Sequence, residues 1–195
     1  MDILSIPRRW ADLCVNRIFV LWLLCVFLLP PATAAGETMM GKEYDVKIGF
    51  IYNFINYVTW PKGVFADDSE PLILCLVSDN PESRAIFRLD KAPIKGRTLK
   101  VVSNQEGDCV IRSHVIFFAT QNKSVIRSAL HQSKGLSILT IGEVDGFTDM
   151  GGVINFFEEG NRLRFEVNMN AVHTEGLKMS AQLLGSAQIV KQEPE

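Results

Sequence analysis

The residues best suited to covalent chemistry are two cysteines, Cys75 and Cys109. In an oxidising compartment such a pair favours a disulfide, and closing a loop of about 35 residues would stabilise the fold by roughly 4 kcal/mol in the chain-entropy model. Two free, buried thiols are the alternative. A metal site is not expected, because neither cysteine belongs to a CxxC pair and His114, His131 and His173 are scattered along the chain.

Side chains for acid–base or nucleophilic catalysis form no recognisable motif. The chain contains no GxSxG, HExxH or GxGxxG pattern and no phosphate-binding loop that ends in GK[ST]. His173 lies two residues from Glu175, but a lone histidine on a C-terminal helix is more often a surface or capping residue. We therefore expect no catalytic residue, no enzyme activity and no cofactor.

Three charged residues, Arg162, Arg164 and Glu166, alternate with apolar residues and share one face of a predicted strand. Such a face can bind an anion, pair internally or meet a partner protein, and simple solvation is the alternative. His173 is retained beside them as a candidate contact residue. The sequence thus predicts a charged binding surface near the C-terminus.

A second candidate surface is an aromatic corner made by Trp60, Pro61 and Phe65, at the end of the first predicted helix. Large aromatic side chains at such positions often anchor a partner. Packing into the core is the alternative, since burial of a tryptophan alone stabilises a fold by several kcal/mol.

The N-terminal segment resembles a secretory signal peptide. Three arginines within the first 17 residues precede the apolar run 18–29, and a proline- and alanine-rich segment follows. Twelve helical residues rise only about 18 Å, which is short for a membrane span. We predict cleavage of residues 1–34 between Ala34 and Ala35, with an uncleaved N-terminal anchor as the alternative. Export to the periplasm agrees with the two cysteines that remain once the leader is removed, because disulfides form in an oxidising compartment.

The rest of the chain predicts a single α/β domain over residues 35–190, followed by a frayed tail at 191–195. The formal net charge of −2 offers no electrostatic footprint for nucleic acid. Apolar runs bounded by turn residues predict strands at 72–77, 96–102, 114–119, 137–141, 153–157 and 163–167, and helices at 45–60, 81–89, 124–132 and from about 170 to 187.

The order of these elements predicts their arrangement. Strand–helix–strand repeats favour a mostly parallel sheet of about six strands with helices on its faces. The last two strands flank Glu158-Glu159-Gly160-Asn161, which predicts a hairpin with Gly160 or Asn161 in a left-handed conformation. A C-terminal helix follows the hairpin.

In these segments the chain resembles the YfiR-like family. The matching stretches are 46–61, 72–75 with 78–81, 151–156 continued by 162–168, and the predicted helix of 171–184. Each stretch is weakly specific by itself, but their succession covers nearly all of the chain after the leader.

The resemblance implies a periplasmic protein without activity of its own. The best-described relative restrains a membrane-anchored diguanylate cyclase by binding its periplasmic sensor domain, which lowers cyclic-di-GMP. The resemblance also implies a homodimer, and Cys75 and Cys109 fall where a family disulfide would lie. A second cysteine pair, present in some relatives near 145–152, is absent here, so a redox switch that needs two bridges is not expected.

Two hypotheses of function follow. The first is an inhibitor of a membrane-anchored diguanylate cyclase, as the resemblance implies. The second is a periplasmic module that senses a small anion or an aromatic metabolite and acts on another membrane partner, such as a sensor kinase. In that second case Arg164 would contact the small-molecule ligand.

Overall fold

A computed structural model describes residues 39–104 and 109–190 of the chain. The predicted leader with its cleavage site at Ala34 and Ala35 and the tail 191–195 lie outside the described residues. The α-helices are α1 (Met39–Tyr57), α2 (Lys123–Ser133), α3 (Met169–Thr174) and α4 (Ala181–Leu184), and Pro81–Leu89 and Val110–Arg112 are 3-10 helices. The strands are β1 (Val58–Thr59), β2 (Leu72–Ser78), β3 (Pro93–Ile94), β4 (Arg97–Ser103), β5 (Val115–Ala119), β6 (Leu139–Gly142), β7 (Ile154–Glu159), β8 (Arg162–Asn168), β9 (Lys178–Met179) and β10 (Gln188–Val190).

The main sheet has eight strands in the order β10-β8-β7-β6-β5-β2-β4-β3. Its centre, from β4 to β7, is parallel, and β8 and β3 run antiparallel to their neighbours β7 and β4. The predicted class, a mostly parallel sheet with flanking helices, a hairpin and a following helix, is confirmed. Six strands is an approximate count, because the short edge strands β3 and β10 carry little sequence signal.

The parallel centre follows the doubly wound order of an open α/β sheet. Counted along the chain, β2, β4, β5, β6 and β7 are arranged 2-1-3-4-5. The chain moves outward from β2 to β4, then returns to lie on the other side of β2 as β5. This reversal places a topological switch point at the carboxyl ends of β2 and β5.

Apolar side chains cover both faces of the sheet. On one face Phe54 of α1 packs against Phe156 and Phe165 of the hairpin, at ring distances of 5.5 and 4.7 Å. On the other face Phe118 packs against Phe147 at 5.5 Å. Because burying one such side chain stabilises a fold by roughly 1.5–3 kcal/mol, these two layers hold the helices to the sheet.

Polar residues begin the helices as the sequence pattern indicates. The Asn80 side chain accepts a hydrogen bond from the amide of Glu82, and Pro81 occupies the first turn of the 3-10 helix. Asn122 caps α2 in the same way. In the hairpin both Gly160 and Asn161 adopt a positive φ, of 54° and 60°, so the turn that the sequence predicts is present with two left-handed residues.

The first helix ends earlier than the sequence predicts. The apolar pattern suggested a helix up to Pro61, but α1 ends at Tyr57, and Val58–Thr59 forms β1, which pairs with Lys178–Met179 in a separate two-stranded sheet. Two β-branched residues before the proline favour this extended conformation.

The continuous helix predicted from about 170 to 187 is wrong. Three short elements, α3, β9 and α4, occupy this segment, and β10 follows it. Gly176 interrupts the helix with a φ of 65°, and a Cβ there would lie 3.2 Å from Pro61. The apolar stripe at helical spacing came from residues that face the same core from different elements.

Candidate functional site

The charged face predicted near the C-terminus lies on β8. Arg162 and Arg164 are exposed and Glu166 is half-buried, whereas Phe165 and Val167 on the opposite face are buried. The period of two therefore separates a core face from a polar face, as expected for an outer strand. We call Arg162, Arg164 and Glu166 the charged strand face.

The three charges of the charged strand face are held to different degrees. Glu166 accepts hydrogen bonds from the Thr148 hydroxyl at 2.9 Å and from the Asn155 amide at 3.3 Å. Arg164 lies 3.3 Å from Glu159 in an exposed ion pair, and such pairs contribute little to stability. The Arg162 side chain makes no hydrogen bond or ion pair with the residues that the structure describes. Both guanidinium groups are thus available to an acidic partner.

The aromatic side chains of the corner pack against other side chains of the chain instead of facing solvent. Trp60 is 9% exposed, and its ring meets Phe65 edge-on at 6.2 Å. Phe65 stacks on His114 at 4.4 Å, and the Arg97 guanidinium lies 4.0 Å from its ring centroid on a cation–π contact. These contacts favour core packing, the alternative reading of Trp60 and Phe65, over a partner anchor.

His114 closes this corner at the amino end of β5. Its Nδ1 accepts a hydrogen bond from the Ile73 amide at 3.0 Å, which requires an unprotonated nitrogen. Burial lowers the pKa of His114, and the nearby Arg97 charge acts in the same direction. The neutral imidazole is therefore a structural part of the corner, together with Trp60, whose Nε1 is buried without a partner among the described residues.

His173 stands apart from the other predicted site residues. It is exposed in the last turn of α3. Glu175 accepts hydrogen bonds from the amides of Gly135 and Ile138, at 2.9 and 3.3 Å, instead of pairing with the imidazole. The structure therefore does not bring these two residues together as an acid–base pair.

A buried polar cluster that sequence reasoning missed lies at the carboxyl edge of the sheet. Glu143, directly after β6, accepts hydrogen bonds from the Tyr44 hydroxyl at 2.6 Å and from Lys47 Nζ at 2.7 Å. Asn80, after β2, donates to the Tyr44 hydroxyl at 3.1 Å, and Glu43 also pairs with Lys47. The cluster joins α1 to two strand ends.

The environment of this cluster fixes its charges. Burial, reinforced by the Glu143 carboxylate, raises the pKa of Tyr44, so its hydroxyl remains a donor. Burial alone would lower the pKa of Lys47, but hydrogen bonds to Glu143 and Glu43 outweigh it, and the pKa is raised. Lys47 therefore keeps its positive charge within the cluster.

The switch point beside the cluster is an open polar crevice. The Thr120 hydroxyl, after β5, donates to Asp79, after β2, at 2.6 Å. A cavity of about 260 Å³ lies there, lined in part by Asn104 and Asn122. The only sequence signal was the polar residues that follow each strand, and it could not be used without the strand order.

The structure joins Cys75 to Cys109 in a disulfide, with a Cα–Cα distance of 5.7 Å. This pairing agrees with the prediction from the sequence. Across residues 39–104 and 109–190 no group of three histidine, cysteine or acidic residues is arranged to hold a metal ion. Among the described helices, none has both the length and the apolar character required to cross a membrane.

Fold and site together define a doubly wound α/β domain with a disulfide, a charged outer strand and no assembled catalytic group among the described residues. The sequence model of the YfiR/HmsC-like family matches residues 44–188. The chain belongs to this family, which is a regulatory family of periplasmic proteins. No curated protein matches the chain.

Two solved structures are similar to this chain at low sequence identity, and the first of them shares its fold. A conserved domain protein from Vibrio cholerae O1 biovar El Tor is 12% identical with a TM-score of 0.50, covering 76% of this chain and 60% of that one. The ABC domain in complex with L-Trp from Streptococcus pneumonia is 12% identical with a TM-score of 0.48, covering 62% of this chain and 56% of that one. This chain therefore spans less than two thirds of either structure's chain.

Proposed function

We propose that this protein is a periplasmic inhibitor of a membrane-anchored diguanylate cyclase, and that it lowers cyclic-di-GMP by contacting the periplasmic sensor domain of the cyclase. The observation that carries the proposal is the match of the YfiR/HmsC-like family over residues 44–188. In this proposal residues 1–34 direct export and are removed after Ala34, and the mature protein acts as a homodimer.

The charged strand face is the docking surface in this proposal. Arg162 and Arg164 are exposed, and only a weak surface ion pair engages Arg164. The face lies on rigid backbone, because β8 pairs with β7 over six residue pairs and with β10 over three. A rigid strand with one guanidinium group unpaired in the described chain and one held only by an exposed ion pair suits an acidic surface on the sensor domain.

Gene deletion tests the function itself. Loss of the protein should raise cellular cyclic-di-GMP and biofilm formation, because the cyclase would no longer be restrained. Expression of the wild-type chain should restore both to the starting level. Unchanged cyclic-di-GMP in the deletion strain would contradict the proposal.

A charge variant tests the surface. Arg162→Ala/Arg164→Ala should weaken binding to solubilised envelope partners at least tenfold and should fail to lower cyclic-di-GMP, although the protein is exported and folded. Arg84→Ala/Lys100→Ala is the matched control, since both side chains are exposed and lie away from β8. Equal behaviour of the two double variants would show that the partner binds elsewhere.

A further inference from the structure

A cavity that lies between α2 and α3 has no role in the proposed docking. Its volume is about 400 Å³, within the range of small-molecule sites in proteins. Its polar and charged lining residues are Arg127, His131, Ser133, Lys134, Thr140, Asn168, Asn170, Thr174 and Glu175.

Three nitrogen-bearing side chains form one wall. Arg127, His131 and Lys134 are spaced four and three residues apart, so they share a face of α2 and its C-terminal cap. None of these side chains makes a hydrogen bond or ion pair within residues 39–104 and 109–190. Lys47 and Arg97, by contrast, are paired with oxygen atoms of the fold. This wall therefore presents unneutralised positive charge to the cavity.

The carboxylate in the lining does not cancel this charge. Glu175 is 9% exposed, and its two oxygens accept hydrogen bonds from the Gly135 and Ile138 amides. These bonds direct the carboxylate toward the backbone that follows α2. They also tie the end of α3 to the end of α2, so the width of the cavity is fixed at that end.

The opposite wall is polar but uncharged. The Thr140 hydroxyl is buried and accepts a hydrogen bond from the Val153 amide at 3.0 Å, which leaves its own proton for an acceptor in the cavity. Asn168 is held by bonds to Thr148 and Ala171. Leu130, Met150 and Ala171 supply apolar surface between these groups. The lining can thus contact both the uncharged organic part and the charged group of a single ligand.

We propose that this cavity is a binding site for a small organic anion, with a carboxylate or phosphate group held by Arg127 and Lys134. The planar guanidinium supplies paired donors, and the ammonium supplies a second positive charge. The Thr140 wall contacts the organic body of the ligand. The site is separate from the charged strand face, and its occupancy does not depend on a membrane partner.

Calorimetric titration of the purified full-length protein tests this site. The probes are citrate for the carboxylate class, glycerol 3-phosphate for the phosphate class and glycerol as the neutral control, all at constant ionic strength. At least one anion should bind saturably with one site per chain, and glycerol should not bind. The anion that binds identifies the head group, and saturable binding of neither anion would overturn the proposal.

Charge variants decide whether the cavity is responsible. Arg127→Ala/Lys134→Ala should weaken anion binding at least tenfold, whereas Arg84→Ala/Lys100→Ala loses the same charge at exposed residues outside the lining and should leave it unchanged. Circular dichroism and the unfolding midpoint confirm that both variants are folded. Equal weakening in the two variants, or full affinity in Arg127→Ala/Lys134→Ala, would contradict the site. Because no cyclase is present, failure of the proposed docking leaves this result unaffected.

Discussion

Two ion pairs beside the main sheet differ in how far their side chains are exposed to solvent. Lys47 and Glu143 lie at the carboxyl edge of the parallel centre, with side chains 7% and 10% exposed. Arg164 and Glu159 lie on the C-terminal hairpin, with side chains 55% and 64% exposed. The first pair is also bonded to Tyr44 and Glu43, whereas Arg164 has only its one partner in the described chain.

The comparison separates charged residues that stabilise the fold, the scaffold, from charged residues that are hydrated and available for binding, the surface. Charges at the carboxyl edge are desolvated and fully bonded, so their removal leaves an unpaired charge in the core. Charges on the hairpin are hydrated, so they can exchange one partner for another at small cost. The parallel half, which also contains the disulfide, positions the hairpin, and the hairpin presents groups to other molecules. Three changes probe this division.

The largest expected effect follows from removing the disulfide in the parallel half. Cys75→Ala/Cys109→Ala should lower the free energy of unfolding by about 4 kcal/mol, because a loop of 34 residues is no longer closed in the unfolded chain. Urea denaturation measures the loss, and reduction of the wild-type protein should reproduce it. A loss below about 1 kcal/mol would show that the bond does not carry the stability of this half.

The next effect compares the two ion pairs directly. Lys47→Met should destabilise the protein by about 3 kcal/mol, since it leaves the Glu143 carboxylate buried without its cation. The matched change Arg164→Met on the hairpin should stay within about 0.5 kcal/mol. Similar losses in the two variants would remove the distinction between scaffold and surface.

The smallest effect is a pH dependence of the corner at the amino edge. The pKa of His114 is lowered from its ordinary value of 6.5, so the unfolded chain binds the proton more readily than the folded chain. The stability that the neutral form contributes is therefore complete above pH 6.5 and is lost as the pH falls through the lowered pKa.

His114→Asn provides the comparison for this effect. The asparagine side chain keeps an acceptor for the Ile73 amide but has no proton to take up, and Glu70 and Arg97, the charged groups that act on His114, are unchanged. The unfolding midpoint should fall by a few degrees more in the wild type than in the variant between pH 7.5 and 5.5. Parallel decreases would assign the acid sensitivity to other groups.

The sequence predicts the parts of the fold that depend on local pattern. The central strands and the hairpin turn at Gly160 follow from periodicity and turn chemistry, and all are present. The C-terminal helix was overextended, because apolar spacing does not reveal that Gly176 leaves the helical conformation. Short edge strands such as Gln188–Val190 depend on a neighbour for their formation and carry almost no signal of their own.

The candidate sites also differ in whether local sequence pattern is enough to predict them. The charged strand face was predictable because alternation within one strand decides which side chains are exposed. The cluster of Lys47 and Glu143 and the cavity beside Arg127 were not, because each combines residues from distant segments. Only the strand order brings those segments together.

The contact between Lys47 and Glu143 joins positions 96 residues apart. The lysine precedes the glutamate along the chain, so the Lys47 ammonium and the Tyr44 hydroxyl of α1 stay hydrated until the segment that contains Glu143 has folded beside them. Bringing together residues so far apart in sequence costs conformational entropy, so such a contact forms late in folding. Formation of this contact is thus a late step in folding, and chains truncated before position 143 will lack it.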